Sequence, residues 1–551
     1  MHNLEIFVAL LTCTVLMAVF SERYKIPYPI LLLVLGIILS LLPFVPNVQL
    51  SPDVVLLIFL PPLLYSAAWF TSWKQFKESI RPITLLAFGC VLGTSLVVGW
   101  VAEAIIPGFT FSMGFLLGAI VSPPDAVAAI TLLRNTAIPQ RVKVILEGES
   151  LVNDAAALIA FRFALIAVST GSFSLADASI QFTVVSIGGI VVGLIAAFAV
   201  FKIHRFINNT PTVDTALTLF TPFISYLAAE RLHVSGVLAV VTTGLLLTRK
   251  SSVLFSYITR IQAVATWKTL TFIIEGIVFL LIGLQIHFII EHFTPEQLWQ
   301  NVIYGLLISL TVVIFRILWV FPGAYLPRIL FKKIRLKETD ISWRGVFFTG
   351  FTGIRGVVSL AAALAIPFTM ENGQPFPGRD TIIFITFCVI IYTLIVHGLL
   401  LPYVIKWLKI GSDGSEYKRE LDLRRKMVFK AISHIEREYS YNYLSDNVLG
   451  LIKSKYEVKL SKLYPTKKQI ILENSSPKEL LELDVVTQFQ NIQAQMLKFE
   501  REYLIDLRKK GAIDDEVFRK LEYELDLEET RLQLDAVPLP FAEKDDLLKP
   551  S

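Results

Sequence analysis

The sequence predicts an all-α membrane protein: about 13 transmembrane helices with inverted repeats, two of them interrupted crossing helices, and a helical cytoplasmic tail. Three observations carry this. The chain is 54% hydrophobic with a mean hydropathy of +0.62, and long apolar runs fill residues 1–410. From Gly411 onward the composition changes abruptly: residues 411–551 hold 24 Lys/Arg and 27 Asp/Glu, so a transmembrane domain (1–410) precedes a charged, helix-favouring domain (411–551). Finally, basic residues cluster in alternate connections, as expected of a chain that crosses a membrane repeatedly.

A span takes roughly 20 mostly apolar residues. Thirteen runs qualify, at about 4–20, 29–45, 54–71, 83–106, 112–133, 144–168, 181–203, 213–230, 234–248, 270–290, 301–322, 346–366 and 381–408. Runs eight and nine are short and separated only by Arg231-Leu232-His233. Loop charge decides whether to merge them. Connections after odd runs, counting Lys202 at the end of run seven, carry 20 Lys/Arg, among them Arg23, Lys25, Arg134 and Lys333, whereas those after even runs carry only Arg231 and Arg379. This asymmetry needs thirteen spans, and it predicts an outside N-terminus and a cytoplasmic C-terminus.

The N-terminus Met1-His2-Asn3-Leu4-Glu5 lacks a positive region, so the first run reads as a retained span and not a signal peptide. Cys13, Cys90 and Cys388 lie in separate apolar runs and read as small buried hydrophobes, with no Cys/His spacing for a metal centre. The net charge of +5 arises from basic loops partly offset by the tail, and carries no nucleic-acid signature. Ser251–Trp267 is short and amphipathic, which predicts a helix lying on the cytoplasmic surface. In the tail, Gly511-Ala-Ile-Asp-Asp-Glu precedes a stripe of Val517, Leu521, Leu525 and Leu532, the start of an amphipathic helix. With no nucleotide motif, the tail reads as a solvated packing or regulatory domain with room for a ligand or protein partner.

The chemistry lies in the apolar runs. Span five breaks at Ser122-Pro123-Pro124, directly before Asp125. Proline removes a backbone donor and blocks the carbonyl one turn back. Inside a membrane the freed carbonyls must line protein or water. Beside Asp125 they are hard oxygen ligands suited to Na⁺ or K⁺. Span six places Glu149, Ser150, Asn153 and Asp154 on one stripe, followed by Ala155-Ala156-Ala157 for close helix approach. Intramembrane carboxylates are costly and mark ion or proton pathways by default. Span twelve reads Thr349-Gly350-Phe351-Thr352-Gly353-Ile354-Arg355-Gly356, where the glycines favour unwound backbone and Arg355 needs an anionic partner. Spans five and twelve are seven apart and so antiparallel. Two interrupted helices in inverted positions indicate repeats (spans 1–6 and 8–13) around a midplane site. Glu275 in span ten reads as gating or structural, Arg162 as a structural countercharge, and His233, His287 and His292 as solvated histidines near span ends.

These residues resemble the monovalent cation:proton antiporter 1 family, the Na⁺/H⁺ exchangers, in its bacterial NhaP-like form. The likeness covers residues 1–410: Leu60-Pro61-Pro62-Leu63-Leu64, Ser122-Pro123-Pro124-Asp125, Gly148-Glu149-Ser150-Leu151-Val152-Asn153-Asp154, Glu275 with Phe279-Leu280-Leu281-Ile282-Gly283, and Gly353-Ile354-Arg355-Gly356. The tail's Asp514-Asp515-Glu516 region is also similar to tails of bacterial members. The resemblance implies that Asp154 is the principal cation and proton ligand, that Asp125 and Ser150 help build the site, and that the Pro124 carbonyl contributes. It implies that Asn153 steadies the site and Glu149 pairs with Arg355. It further implies a plasma-membrane homodimer performing electroneutral exchange by an elevator-like shift of a core domain, with no cofactor beyond the transported ions. Where many members carry an acid after Pro-Pro-x-x-x, this chain has Ser66, which bears on Na⁺ against K⁺ preference.

Because a buried charge is costly, Asp154 holds a proton or a cation but not both, and coupling motion to its neutralisation forces exchange. No ATP site and no enzymatic activity are needed. Competing classes are a cation channel, a K⁺-preferring exchanger and an intramembrane aspartyl protease. A channel would show a repeated filter loop, and the protease a Gly-x-Gly-Asp motif, which neither aspartate has.

Overall fold

The computed structural model describes residues 2–24, 26–42, 55–125, 129, 138–170, 175–206, 210–291, 293–337, 342–370, 373–410, 415–438, 446–461, 463 and 483–536. These residues are helical apart from turns and one isolated bridge, Thr369 to Pro375. They form two compact units, one of residues 1–254 and 263–412, the other of 255–262 and 413–551.

The first unit begins with α1 (His2–Tyr24) and α2 (Tyr28–Ser40), then a π-helical turn at Val55–Phe59 leading into α3 (Leu60–Phe70). Short helices α4 (Trp73–Glu78) and α5 (Ile80–Thr84) follow, and a π segment at Leu85–Cys90 joins α5 to α6 (Val91–Ile105). Next come α7 (Phe111–Val121), α8 (Gln140–Thr170), α9 (Leu175–Phe206), α10 (Pro211–Arg231), α11 (Gly236–Leu254) and α12 (Tyr257–Leu284). The remainder is α13 (Ile286–Ile290), α14 (Pro295–Leu330), α15 (Lys332–Lys337), α16 (Trp343–Phe351), α17 (Val357–Leu364) and α18 (Arg379–Ile391). A π segment at Tyr392–His397 then leads into α19 (Gly398–Leu408). The ends of apolar runs two and five, with Lys25, Arg134 and His292, lie outside the described residues.

Runs eight and nine are separate helices. The chain reverses between α10 and α11 in a turn where His233 takes a left-handed φ of 55°. Among the described residues, six stretches are long and apolar enough to cross a membrane: Ile80–Ile105, Gln140–Thr170, Ile180–Phe206, Tyr257–Ile290, Pro295–Leu330 and Arg379–Leu408. Their outer faces are apolar. Val184, Ile187, Ile195 and Phe198 of α9 are exposed, a surface that suits hydrocarbon and not water. Small residues bring helices together inside. Gly36 of α2 and Gly283 of α12 meet so closely that a methyl on either would fall 2.8–2.9 Å from the other's Cα. Local capping is also in place: Thr294 and Gln297 form a reciprocal capping box at the start of α14.

Ser251–Trp267 is not a separate surface helix. Its first residues complete α11, and those from Tyr257 begin α12. Trp267 is fully buried and donates its indole N–H to Thr218 Oγ1 at 3.2 Å. The amphipathic pattern therefore has protein on its apolar side.

The second unit contains α20 (Ser415–Glu438), α21 (Asp446–Ser461), α22 (Leu483–Lys509) and α23 (Asp515–Ala536). Leu423, Met427, Leu497, Leu504, Phe518 and Leu521 form one apolar cluster; Val428, Ile435, Ile452, Ile492 and Met496 form a second. Just past the end of α22, Gly511 takes a left-handed φ of 70°, and the Ala512 N–H donates to Leu507 O at 3.0 Å. That closure turns the chain into α23.

Candidate functional site

Helix α7 stops at the Pro-Pro break because two successive residues lack N–H donors. The orphaned groups find specific partners. Ala119 O would bond residue 123 in an unbroken helix; it accepts instead from Ser122 Oγ at 3.1 Å. Val121 O would bond the N–H of Asp125. That N–H goes to Ile354 O at 2.6 Å, and Val121 O accepts from Arg355 Nε at 3.0 Å. The two broken segments thus exchange hydrogen bonds where they cross.

The second break runs from Thr352 to Gly356, between α16 and α17. Arg355 is 1% exposed and also donates to the Gly353 carbonyl, while its backbone N–H donates to Thr393 Oγ1 at 3.1 Å. Gly356 has φ −130°, open to any residue, yet a methyl there would lie 2.8 Å from Asp125 Cγ. Glycine is needed so that the Asp125 carboxyl can lie against the backbone.

Helix α8 supplies the other wall. Asn153, fully buried, donates Nδ2–H to Pro124 O at 2.9 Å, tying α8 to the break. Its Oδ1 is buried without a hydrogen-bond partner among the described residues. Asp154 is 7% exposed and close enough to Asp125 for the two charges to interact. Ser150 lies one turn earlier and is half-buried, as is Asp125. Behind Asp154, Ala156 and Ala157 pack on Val91 and Phe88, as the alanine run anticipates.

One expected pairing is corrected. Glu149 does not pair with Arg355; it takes both guanidinium N–H groups of Arg316, Nη1 to Oε1 at 2.5 Å and Nη2 to Oε2 at 2.8 Å. Arg316 is a buried arginine of α14 that the sequence reading passed over, although it carries the same signal as Arg355: a guanidinium inside an apolar run. Arg355 prefers carbonyls because the two breaks supply unsatisfied acceptors within its reach. The two remaining candidates have their own partners. Ser66 on α3 accepts from Thr271 Oγ1 at 2.8 Å, and Glu275 on α12, 7% exposed, accepts from the Tyr28 hydroxyl. Arg162 pairs with Glu230 at 3.0 Å, away from Asp154.

Asp125, Ser150, Asn153 and Pro124 offer carboxylate, hydroxyl, amide and peptide oxygens, and among the described residues no cluster of three His, Cys, Asp or Glu is present. Hard oxygens of this kind suit an alkali cation as cargo. Two interrupted helices crossing in an apolar interior, with paired carboxylates at the crossing, define a secondary transporter of small cations.

The comparisons are specific. The family model described as sodium/hydrogen exchanger, transmembrane, matches residues 7–407. A Mycobacterium tuberculosis protein named as an uncharacterized Na⁺/H⁺ exchanger, Rv2287, is 33% identical over 541 residues, covering 96% of each chain. A sodium, potassium, lithium and rubidium/H⁺ antiporter of Bacillus pumilus is 33% identical over 474 residues, 83% of this chain and 68% of that one. In fold, the chain resembles the sodium proton antiporter MjNhaP1 of Methanocaldococcus jannaschii, with TM-score 0.56, 23% identity, and 74% of this chain covering 99% of that one. The chain belongs to the sodium/hydrogen exchanger family: it is a multi-pass membrane antiporter that exchanges protons for monovalent cations.

Proposed function

We propose that Asp154 is the carboxylate that carries cation and proton in turn, with Asp125, Ser150 and the Pro124 carbonyl completing the cation's oxygen shell. The observation that supports this most directly is Asp154 buried beside Asp125, at a crossing whose backbone is already satisfied by Arg355, Asn153 and Ile354. A cation entering there replaces its water with fixed oxygens without having to break the crossing. Asn153 positions the Pro124 carbonyl, while Glu149 and Arg316 brace α8 against α14 without touching cargo. Ionised Asp154 in a low-dielectric setting is costly, so the carrying domain moves when a proton or a cation neutralises it.

On this reading the chain has thirteen spans with spans 1–6 and 8–13 as inverted repeats, a cytoplasmic tail from residue 411, and a plasma-membrane homodimer running electroneutral exchange. The antiporter named for sodium, potassium, lithium and rubidium in Bacillus pumilus supports a broad cation range, as does the small hydroxyl at Ser66 where many members have an acid. The test is cation-driven pH change in proteoliposomes, scanned over Na⁺, K⁺ and Li⁺, with wild type beside Asp154→Asn. Cation-coupled proton movement by the asparagine variant at the wild-type rate overturns the assignment.

A further inference from the structure

The π-helical segment Tyr392–His397 interrupts the apolar stretch Arg379–Leu408, between α18 and α19, and it meets the second break. A π turn carries an extra residue within a helix and is found frequently at functional sites. Two of its side chains, Thr393 and His397, are one turn apart and buried, at 0% and 3% exposure. Neither belongs to the oxygens assigned to the cation.

Thr393 holds the far end of the break. Its hydroxyl donates to Val389 O at 2.8 Å, with Ile390 O at 3.3 Å, which leaves a lone pair for the backbone N–H of Arg355 at 3.1 Å. Arg355 lies outside any helix, and a buried donor left unmet there is costly. His397 holds the near end. Its ring lies nearly flat on that of Phe351, the last residue of α16, with centroids 4.6 Å apart and planes 17° from parallel. Phe351 in turn stacks on Phe347, which meets Trp407 of α19 edge-on, so α16 is fastened along this whole element. His397 Nδ1 is buried with no hydrogen-bond partner among the described residues; the contact with Phe351 is made by the ring's face.

Between and beside these two holds lie the groups that place Asp125. Ile354 O accepts the Asp125 N–H, and the bare backbone of Gly356 makes room for the Asp125 carboxyl. Displacing either end of the break therefore displaces that carboxyl. We propose that Thr393 and His397 are positioning residues for cation exchange, fixing the two ends of the second break and thereby keeping Asp125 in place beside Asp154. This rests on the reading of Asp125 and Asp154 as cargo ligands, and neither Thr393 nor His397 touches the cargo.

The experiment uses the full chain in proteoliposomes. Wild type and Asp154→Asn are assayed first, so that a failure of the site assignment is seen separately. Thr393→Val keeps the volume but removes the acceptor; His397→Leu keeps the bulk but removes the flat face. Each is expected to raise the cation concentration for half-maximal exchange at least threefold, with a smaller change in maximal rate per folded protein. Thr393→Ser and His397→Phe, which restore the acceptor and the face, are expected to stay within twofold of wild type. Hydrogen exchange over residues 352–356 is expected to rise in Thr393→Val and His397→Leu, and it reads the clamp even where transport is too slow to titrate. A shift below threefold in either variant overturns the proposal, as does a shift in half-maximal concentration that serine or phenylalanine fails to rescue. With transport too slow to titrate, unchanged hydrogen exchange over residues 352–356 overturns it. So does reduced yield as the sole effect, the behaviour of residues that merely pack.

Discussion

Glu149 and Arg316 face each other through two parallel N–H···O bonds, with both side chains 1% exposed. The pair joins α8, which carries Asp154, to α14, and Arg316 Nη2 also donates to Thr349 O at 3.3 Å, just before the second break. It braces both sides of the site from behind.

Removing one partner of such a buried pair typically costs about 3–5 kcal/mol, because the other charge is left desolvated. Arg316→Ala and Glu149→Ala should each lower the melting temperature and folded yield sharply. The double Glu149→Ala/Arg316→Ala should be less destabilised than the sum of the singles. Additive losses in a double-mutant cycle would mean that the two side chains are not coupled.

Arg355→Ala strands the carbonyls of Val121 and Gly353, each unmet acceptor costing about 1–3 kcal/mol. The expected result is a less stable protein with impaired exchange, while Glu149→Ala in the Arg355→Ala background should be as damaging as in wild type. Protection of either variant by the other in thermal melts would restore the Glu149–Arg355 pairing that the sequence suggested.

Gly356→Ala tests the approach of Asp125 to the crossing backbone. The local φ tolerates alanine, so the effect should come only from the collision with the Asp125 carboxyl. Exchange should fall at least tenfold with yield near wild type. Normal exchange kinetics in this variant would show that Asp125 does not need its observed position.

Asp154→Glu should keep measurable exchange with altered cation affinity, since the charge persists but is displaced by a methylene. In wild type, the apparent cation affinity should weaken as pH falls, because protons and cations compete for one carboxylate. An affinity that stays flat between pH 6 and pH 9 would argue against a shared site.

In the tail, burial pushes the Glu500 carboxyl above its usual range despite Lys459 at 3.6 Å. A raised carboxyl favours the folded tail while protonated. That contribution is present below the unfolded pKa, near 4.3, and is lost as pH rises through the higher folded value. Glu500→Gln should therefore make α22 more resistant to hydrogen exchange at neutral pH and flatten its pH dependence. A tail that exchanges faster at pH 7.5 would show that the Lys459 pair outweighs desolvation.

The sequence made the breaks and their carboxylates visible because proline, glycine and acid stand out against apolar runs. Separating α10 from α11 was likewise legible through loop charge, although only three residues divide the runs. Partner choice was not legible. Arg316, Arg355 and Glu149 all lie in apolar segments, and sequence alone cannot tell that Arg316 is in fork geometry with Glu149 while Arg355 meets the carbonyls of Val121 and Gly353, one at each break. Nor could periodicity reveal the fate of residues 251–267, since an amphipathic pattern registers an apolar surface without naming what covers it.

The swap at the crossing, Asp125 N–H to Ile354 O and Arg355 to Val121 O, has an evolutionary consequence. The junction is fastened by a main-chain bond and by Arg355, which is not among the oxygens proposed to hold the cargo. Residues around the cargo can then change while the frame that presents them stays assembled. Such a division lets a lineage retune which alkali ion it carries by single point changes, each starting from a protein that still folds.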